Sequence, residues 1–322
     1  MFGVPGMYRT SRLLPALFVL LAGCASIPPS VRALPEAAGA IAIELTDTPF
    51  YPQERYQCGP AALTTLLAES GRTVSLDDIV GKVYLPGRQG SLQVELLAAT
   101  RTEGRLPYVI DGTLDAVWKE LEASRPVLVL QNLGVAAIPR WHYAVVVGID
   151  ARRGDVILRS GTDRRRVTPV GTFLRTWQRG GYWAMVALAP DELPAVVDRS
   201  RYFDAVAALE QAGRFETAAV AWQTALRQWP GDPVALFGLA NTHLAGQQYA
   251  AAEAAYRDLL QRQPGLPAAR NNLALALAEQ GKYDAALQEV STALSENRDA
   301  AVERELKDTE ATIRRRRAGA DD

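Results

Sequence analysis

The sequence predicts an α+β domain followed by an all-α solenoid. Three observations carry that expectation. An apolar helix-like run opens at Cys58, short β-branched runs take over after residue 125, and beyond Asp198 a pattern recurs every 34 residues. A chain of 322 residues is long enough for two proper cores, and 48% apolar with 22% charged residues is ordinary globular composition. A formal charge of −1 gives no electrostatic reason to expect a nucleic-acid partner. Two cysteines, Cys24 and Cys58, cannot build a disulfide framework, and no metal or cofactor motif is present.

The first stretch reads as a targeting segment. Arg9 and Arg12 precede an apolar run from Leu13 to Ala22, too short for a permanent membrane-spanning helix. Leu21-Ala22-Gly23-Cys24 follows and resembles the lipobox of bacterial lipoproteins. That resemblance implies cleavage of a signal peptide, residues 1–23, lipidation of Cys24, and a formal charge lowered from −1 to −3 with the loss of Arg9 and Arg12. More than one lipid chain makes anchoring stable. Ala25 after the lipidated cysteine implies, by the same resemblance, the outer membrane facing the periplasm. Residues 24–48, with Pro28, Pro29 and Pro35, read as a tether with a short strand at Ile41 to Leu45.

The central domain, residues 49–190, begins with the stretch around Cys58. Pro60 suits a first helical turn, where its missing N–H has no partner to lose. A thiol there faces the positive end of the helix dipole, which favours thiolate and predicts alkylation below neutral pH. Gln53, five residues upstream, can donate two side-chain hydrogen bonds toward the same point, and Gln57 is too close to point back. Ser75 caps a helix toward Val83, a loop spans Pro86 to Gly90, and Ser91 caps a helix to Thr102. Leu106 to Ile110 is strand-like and Thr113 to Ala123 helical. Strands are then expected at Pro126–Leu133, His142–Asp150, Asp155–Ser160, Arg166–Val170 and Trp183–Leu188.

His142 is one of only two histidines and leads a strand. Glutamine, cysteine on a helix, then histidine on a strand resembles the papain-like peptidase family C-39, whose members remove double-glycine leaders from exported peptides. The resemblance covers roughly Phe50 to Pro190 and implies Cys58 as nucleophile, His142 as base and Gln53 as oxyanion donor. Relatives usually carry an orienting Asp-Pro pair after the histidine strand, and this chain has Leu158-Arg159-Ser160-Gly161-Thr162-Asp163 there. A turn at Arg152-Arg153 would set His142 opposite Asp163, while Ser160 and Asn132 are the alternatives. Asp163 is the expected orienter because a carboxylate also stabilises imidazolium. Arg164-Arg165-Arg166 reads as a solvated face.

Pro190 to Asp198 reads as a linker, so residues 48–190 are expected to fold alone. Phe215, Tyr249 and Tyr283 are spaced by 34, as are Ala218, Ala252 and Ala286. The pattern resembles the tetratricopeptide repeat, with units at Arg199–Asp232, Pro233–Leu266 and Pro267–Ala300 and a capping helix within residues 301–322. His243 falls inside a repeat helix, which leaves His142 as the base. The expected function is a membrane-anchored cysteine peptidase acting on peptides or proteins, with the repeats binding substrate or a protein partner. The alternatives are a catalytically silent peptide-binding scaffold and a papain-like cell-wall amidase or acyltransferase. The Cys-Gly-Pro start speaks against the last, since cell-wall hydrolases of this kind begin Asp-Cys-Ser.

Overall fold

The computed structural model describes residues 27–34, 41–53 and 56–320. The expected signal peptide, the expected lipidation position Cys24 and parts of the expected tether lie outside the described residues. A single turn, α1 (Pro29–Arg32), and a short strand, β1 (Ala42–Glu44), lead into the first domain. Its helical half is α2 (Cys58–Glu69), α3 (Leu76–Val83) and α4 (Gln93–Thr102), followed by β2 (Leu106–Val109) and α5 (Leu114–Glu122). The sheet half is β3 (Val127–Asn132), β4 (Trp141–Asp150), β5 (Asp155–Ser160), β6 (Asp163–Pro169) and β7 (Ala184–Leu188), with α6 (Val170–Gln178) before β7. The spacing Val170, Phe173, Leu174, Trp177 is the helical signal for α6, and it went unread among the strand-like runs.

The strands form one antiparallel sheet in the order β2-β7-β3-β4-β5-β6, with β1 paired to the far end of β4. Strict alternation sorts its two faces. Leu128, Leu130, Tyr143 and Val145 pack under α2, α3 and α4, while Val127, Val129, Ala144 and Val146 pack against α5 and α6. Gly148 is required where β1 crosses, because a Cβ there would lie 2.5 Å from the Ile43 carbonyl oxygen.

Six helices in three pairs follow: α7 (Arg199–Gln211) with α8 (Phe215–Gln228), α9 (Pro233–Ala245) with α10 (Tyr249–Arg262), and α11 (Pro267–Glu279) with α12 (Tyr283–Glu296). Ala218, Ala252 and Ala286, one per pair, are fully buried where helices cross. The last helix, α13 (Ala300–Ala318), covers the array with Leu306 and Ile313.

The cores do not divide where the sequence pattern changes. Tyr202, Phe203, Val206 and Leu209 of α7 belong to the same apolar cluster as Leu106, Tyr108 and Leu188 of the sheet, and so do Ala235 and Leu239 of α9, whereas the rest of α9 and the helices after it form a second cluster. The stretch read as a linker is strapped down. Ala195 N–H donates to the buried Glu120 carboxylate at 2.8 Å, Asp198 N–H to the Tyr108 hydroxyl at 3.0 Å, and Arg201 pairs with Asp111 at 2.9 Å. The expectation that residues 48–190 fold alone therefore meets an apolar face which the first helical pair covers.

Candidate active site

The site begins with an unusual helix start. Gln57 occupies the N-cap of α2 without a side-chain cap, so the first-turn amides are not satisfied by a hydroxyl or carboxylate. The N–H groups of Cys58 and Gly59 are directed at the Cys58 sulfur, as is that of Tyr143 from β4. These donors lower the thiol pKa, but burial acts the other way and is larger, so the thiol sits above its ordinary value. The dipole argument for thiolate thus identified a real effect and missed the stronger one. Gly59 is needed for close packing, since a Cβ there would lie 2.7 Å from the Ser91 side chain.

His142 is the second residue of β4, and its Nε2 lies 2.8 Å from the Ser160 hydroxyl at the end of β5. Asp163 is exposed at the start of β6 and pairs with Arg166 at 3.5 Å, so it is not the residue that meets the ring. β5 ends at Ser160, and Asp163 opens β6, paired with Ser160 on the side of β5 away from β4. Near the turn β4 and β5 pair as anticipated, Asp150 with Asp155 and Gly148 with Ile157. A bulge between Val146 and Gly148 then shifts the pairing to Val146 with Leu158 and Val145 with Arg159. The shift puts Ser160 on the same side as His142. Asn132 is engaged elsewhere: its Oδ1 accepts from the N–H of Gly134 at 2.9 Å and of Arg140 at 2.8 Å, closing the β3–β4 loop.

No carboxylate is among the groups that set the His142 pKa. Burial, with the nearby Arg166 and Arg140 guanidinium charges, lowers the imidazole pKa to about 4. A raised thiol and a lowered imidazole leave both groups neutral at rest. Among the described residues Cys58 makes no hydrogen bond to His142.

Gln53 is placed by its backbone. Its N–H donates to the Gly161 carbonyl at 3.2 Å, which ties the segment before α2 to the β5–β6 turn. The buried Arg159 does the same one strand over, donating to the carbonyls of Thr46 at 2.9 Å, Thr48 at 3.2 Å and Arg164 at 2.6 Å. Residues 54 and 55 lie outside the described chain, and Tyr56 takes a left-handed turn, φ 70°, into the helix.

Cys58, His142 and Gln53 line one cavity of about 770 Å³, together with Tyr143, Ser91 and Leu130. The loop closed by the Leu85–Gly90 bridge, with Gln89 left-handed at φ 49°, and the stretch Pro139–Trp141 complete its walls. The Tyr143 amide and these two loops had no signal in the sequence, because nothing local marks a backbone donor or a wall. His243 is apart from the cavity, on α9, with Nδ1 2.6 Å from the Gln248 side chain. A smaller depression of about 370 Å³ beside α11 and α13 contains neither cysteine nor histidine. Among the described residues no group of three or more His, Cys, Asp or Glu side chains could hold a metal.

The architecture is thus an α+β domain with a cysteine at a helix start and a histidine at a strand start, joined to a helical repeat array. Residues 45–185 match the peptidase C39-like family, and residues 203–267 and 237–301 match the tetratricopeptide repeat. The chain carries a C39-like domain followed by tetratricopeptide repeats. A solved structure described as a candidate C39-like peptidase from Bacillus anthracis is similar at 15% identity and a TM-score of 0.39, covering 46% of this chain and 98% of that one. No curated protein matches the chain.

Proposed function

We propose that the protein is a cysteine peptidase of the cell envelope, held to the membrane by lipid on Cys24. The single observation that carries the peptidase reading is the meeting of Cys58 and Gln53 with His142, from two separated stretches, on one cavity. With Nε2 of His142 engaged by Ser160, Nδ1 is the nitrogen that remains to take the thiol proton. Because the resting pair is neutral, proton transfer accompanies attack and does not precede it. Sγ bonds the scissile carbonyl carbon, Gln53 and the first-turn amide of Cys58 receive the oxyanion, and the imidazolium protonates the leaving amine. Water, deprotonated by the same imidazole, then releases the acyl group as a carboxylic acid and restores the thiol. Ser160 orients the ring where relatives use a carboxylate. The repeats would receive a peptide or protein partner in their groove.

Comparison of envelope proteomes from cells carrying the natural chain and Cys58→Ala tests this. Peptides with new termini should vanish in the variant, and an unchanged set of termini would overturn the reading. Anchoring has its own test: Cys24→Ser should leave the membrane fraction, and unaltered partition without lipid on the N-terminal peptide would end that part.

A second reading, a peptide-binding module without turnover, is favoured by the protonated thiol and its lack of a hydrogen bond to His142. An active-site acylating peptide probe separates the two. Covalent capture on Cys58 that depends on His142 supports catalysis, whereas reversible binding with no adduct supports the module.

A further inference from the structure

Among the described residues the cavity wall carries cations and no acid. Arg88, at the end of the turn Pro86–Arg88, and Arg140, the residue before β4, both line it, and among the described residues no Asp or Glu does. Both arginines are exposed, and neither forms an ion pair among the described residues. Their neighbours behave differently: Arg165 is bound by Glu44 through two hydrogen bonds of 2.7 and 2.9 Å, and Arg166 by Asp163. An arginine fork left without a carboxylate at the mouth of a cleft is suited to receive one bidentately from a ligand. The charge of Arg140 already reaches the His142 ring and disfavours its protonation. Beside them, Leu92, Leu130 and Trp141 give the same cavity apolar surface for the rest of a peptide.

We infer that the site selects acidic peptides, with Arg88 and Arg140 binding Asp or Glu side chains next to the scissile bond. The inference rests on the peptidase reading for its substrate class, and its test does not require turnover. Full-length Cys58→Ser is titrated, by fluorescence anisotropy, with labelled peptide pools of equal length and apolar content that carry Asp, Asn or Lys. The Asp pool should bind about tenfold more tightly than the Asn pool and the Lys pool most weakly. That gap should close at high salt, because exposed charges are screened. In the Arg88→Gln/Arg140→Gln double variant the gap should disappear while the thermal midpoint stays put. Equal affinities for the three pools, a gap that survives the double replacement, or no binding by any pool would each overturn the inference. The natural chain run on the same pools judges the underlying reading separately. Cys58-dependent cleavage that ignores peptide charge keeps the peptidase and discards the acidic preference, while charge-selective binding without cleavage does the reverse.

Discussion

The repeat array and the C39-like domain solve the problem of bringing residues together in different ways. In the array, contacting residues lie in adjacent helices or one repeat apart, and each position recurs: Ala218, Ala252 and Ala286 do the same task three times. In the domain, the cavity draws on Gln53, Cys58, the Arg88–Ser91 loop and Pro139–Tyr143, and no position is repeated. A solenoid can lose or gain a unit because its energy is close to a sum of units and interfaces. A sheet-based site depends on register, where one extra residue at the β4 bulge shifts the pairing beyond it. The difference predicts that perturbations in the array act locally and those in the domain act at a distance.

The junction between the halves is the largest test. A chain cut at Pro190 exposes the sheet edge that α7 covers, losing the burial supplied by Tyr202, Phe203, Val206 and Leu209. At about 1.5–3 kcal/mol for each large side chain, the loss exceeds roughly 5 kcal/mol, a large part of a domain's stability. Urea unfolding of fragments ending at Pro190 and at Asp232 should show the longer one far more stable. Equal midpoints would mean that the halves meet without sharing a core.

The next test is the buried ring. Between pH 6.5 and about 4 the unfolded chain binds a proton at His142 that the folded chain excludes. Acid therefore destabilises the fold through this residue, with stability lost as pH falls through 6.5 and no further loss below about 4. The full effect is about 3 kcal/mol. His142→Asn removes the titration, so its stability relative to the natural chain should improve by about that amount between pH 7.5 and pH 4. A constant difference across that range would show that the ring ionises freely.

The Ser160 contact is smaller and bears directly on register. Ser160→Ala should lower kcat/KM by roughly tenfold to a hundredfold by freeing the ring to turn. Asp163→Ala should stay near the natural rate. Ser160→Asp would place a carboxylate on Nε2 and move the acid limb of the pH–rate profile upward, which loss of packing alone would not do. If Asp163→Ala is the damaging change, the anticipated unbulged pairing is the working one.

Much of this was legible in the chain, for reasons that differ between the halves. The array announced itself through a period, and four of the expected strands, β3, β4, β5 and β7, through apolar runs that the core then buried. Cys58 and His142 stood out because the chain has two cysteines and two histidines, and Gln53 because it lies five residues before Cys58. What stayed hidden depends on non-local geometry. The bulge at Val147 and the early end of β5 at Ser160 have no local marker, so the choice among Asp163, Ser160 and Asn132 stayed open in the sequence. Burial of Cys58 under Tyr143 could not be weighed against the helix dipole until β4 was placed above it.

The smallest expected effect lies in the array and tests its additivity. The turn between the helices of each pair holds a left-handed residue at 34-residue intervals: Gly213 at φ 69°, Gln247 at φ 60° and Gly281 at φ 75°. Glycine takes this conformation without strain, whereas a residue with a Cβ costs about 1 kcal/mol there. Gln247 is exposed, so its side chain contributes little packing to offset that cost. Gln247→Gly should therefore stabilise the array by about 0.5–1 kcal/mol after the greater flexibility of glycine in the unfolded chain is deducted. Hydrogen exchange is the suitable measurement, because it reads each helix separately. Protection should rise in α9 and α10, and exchange at the Cys58 helix should stay unchanged. A gain spread evenly into the C39-like domain would show that the two cores unfold as one.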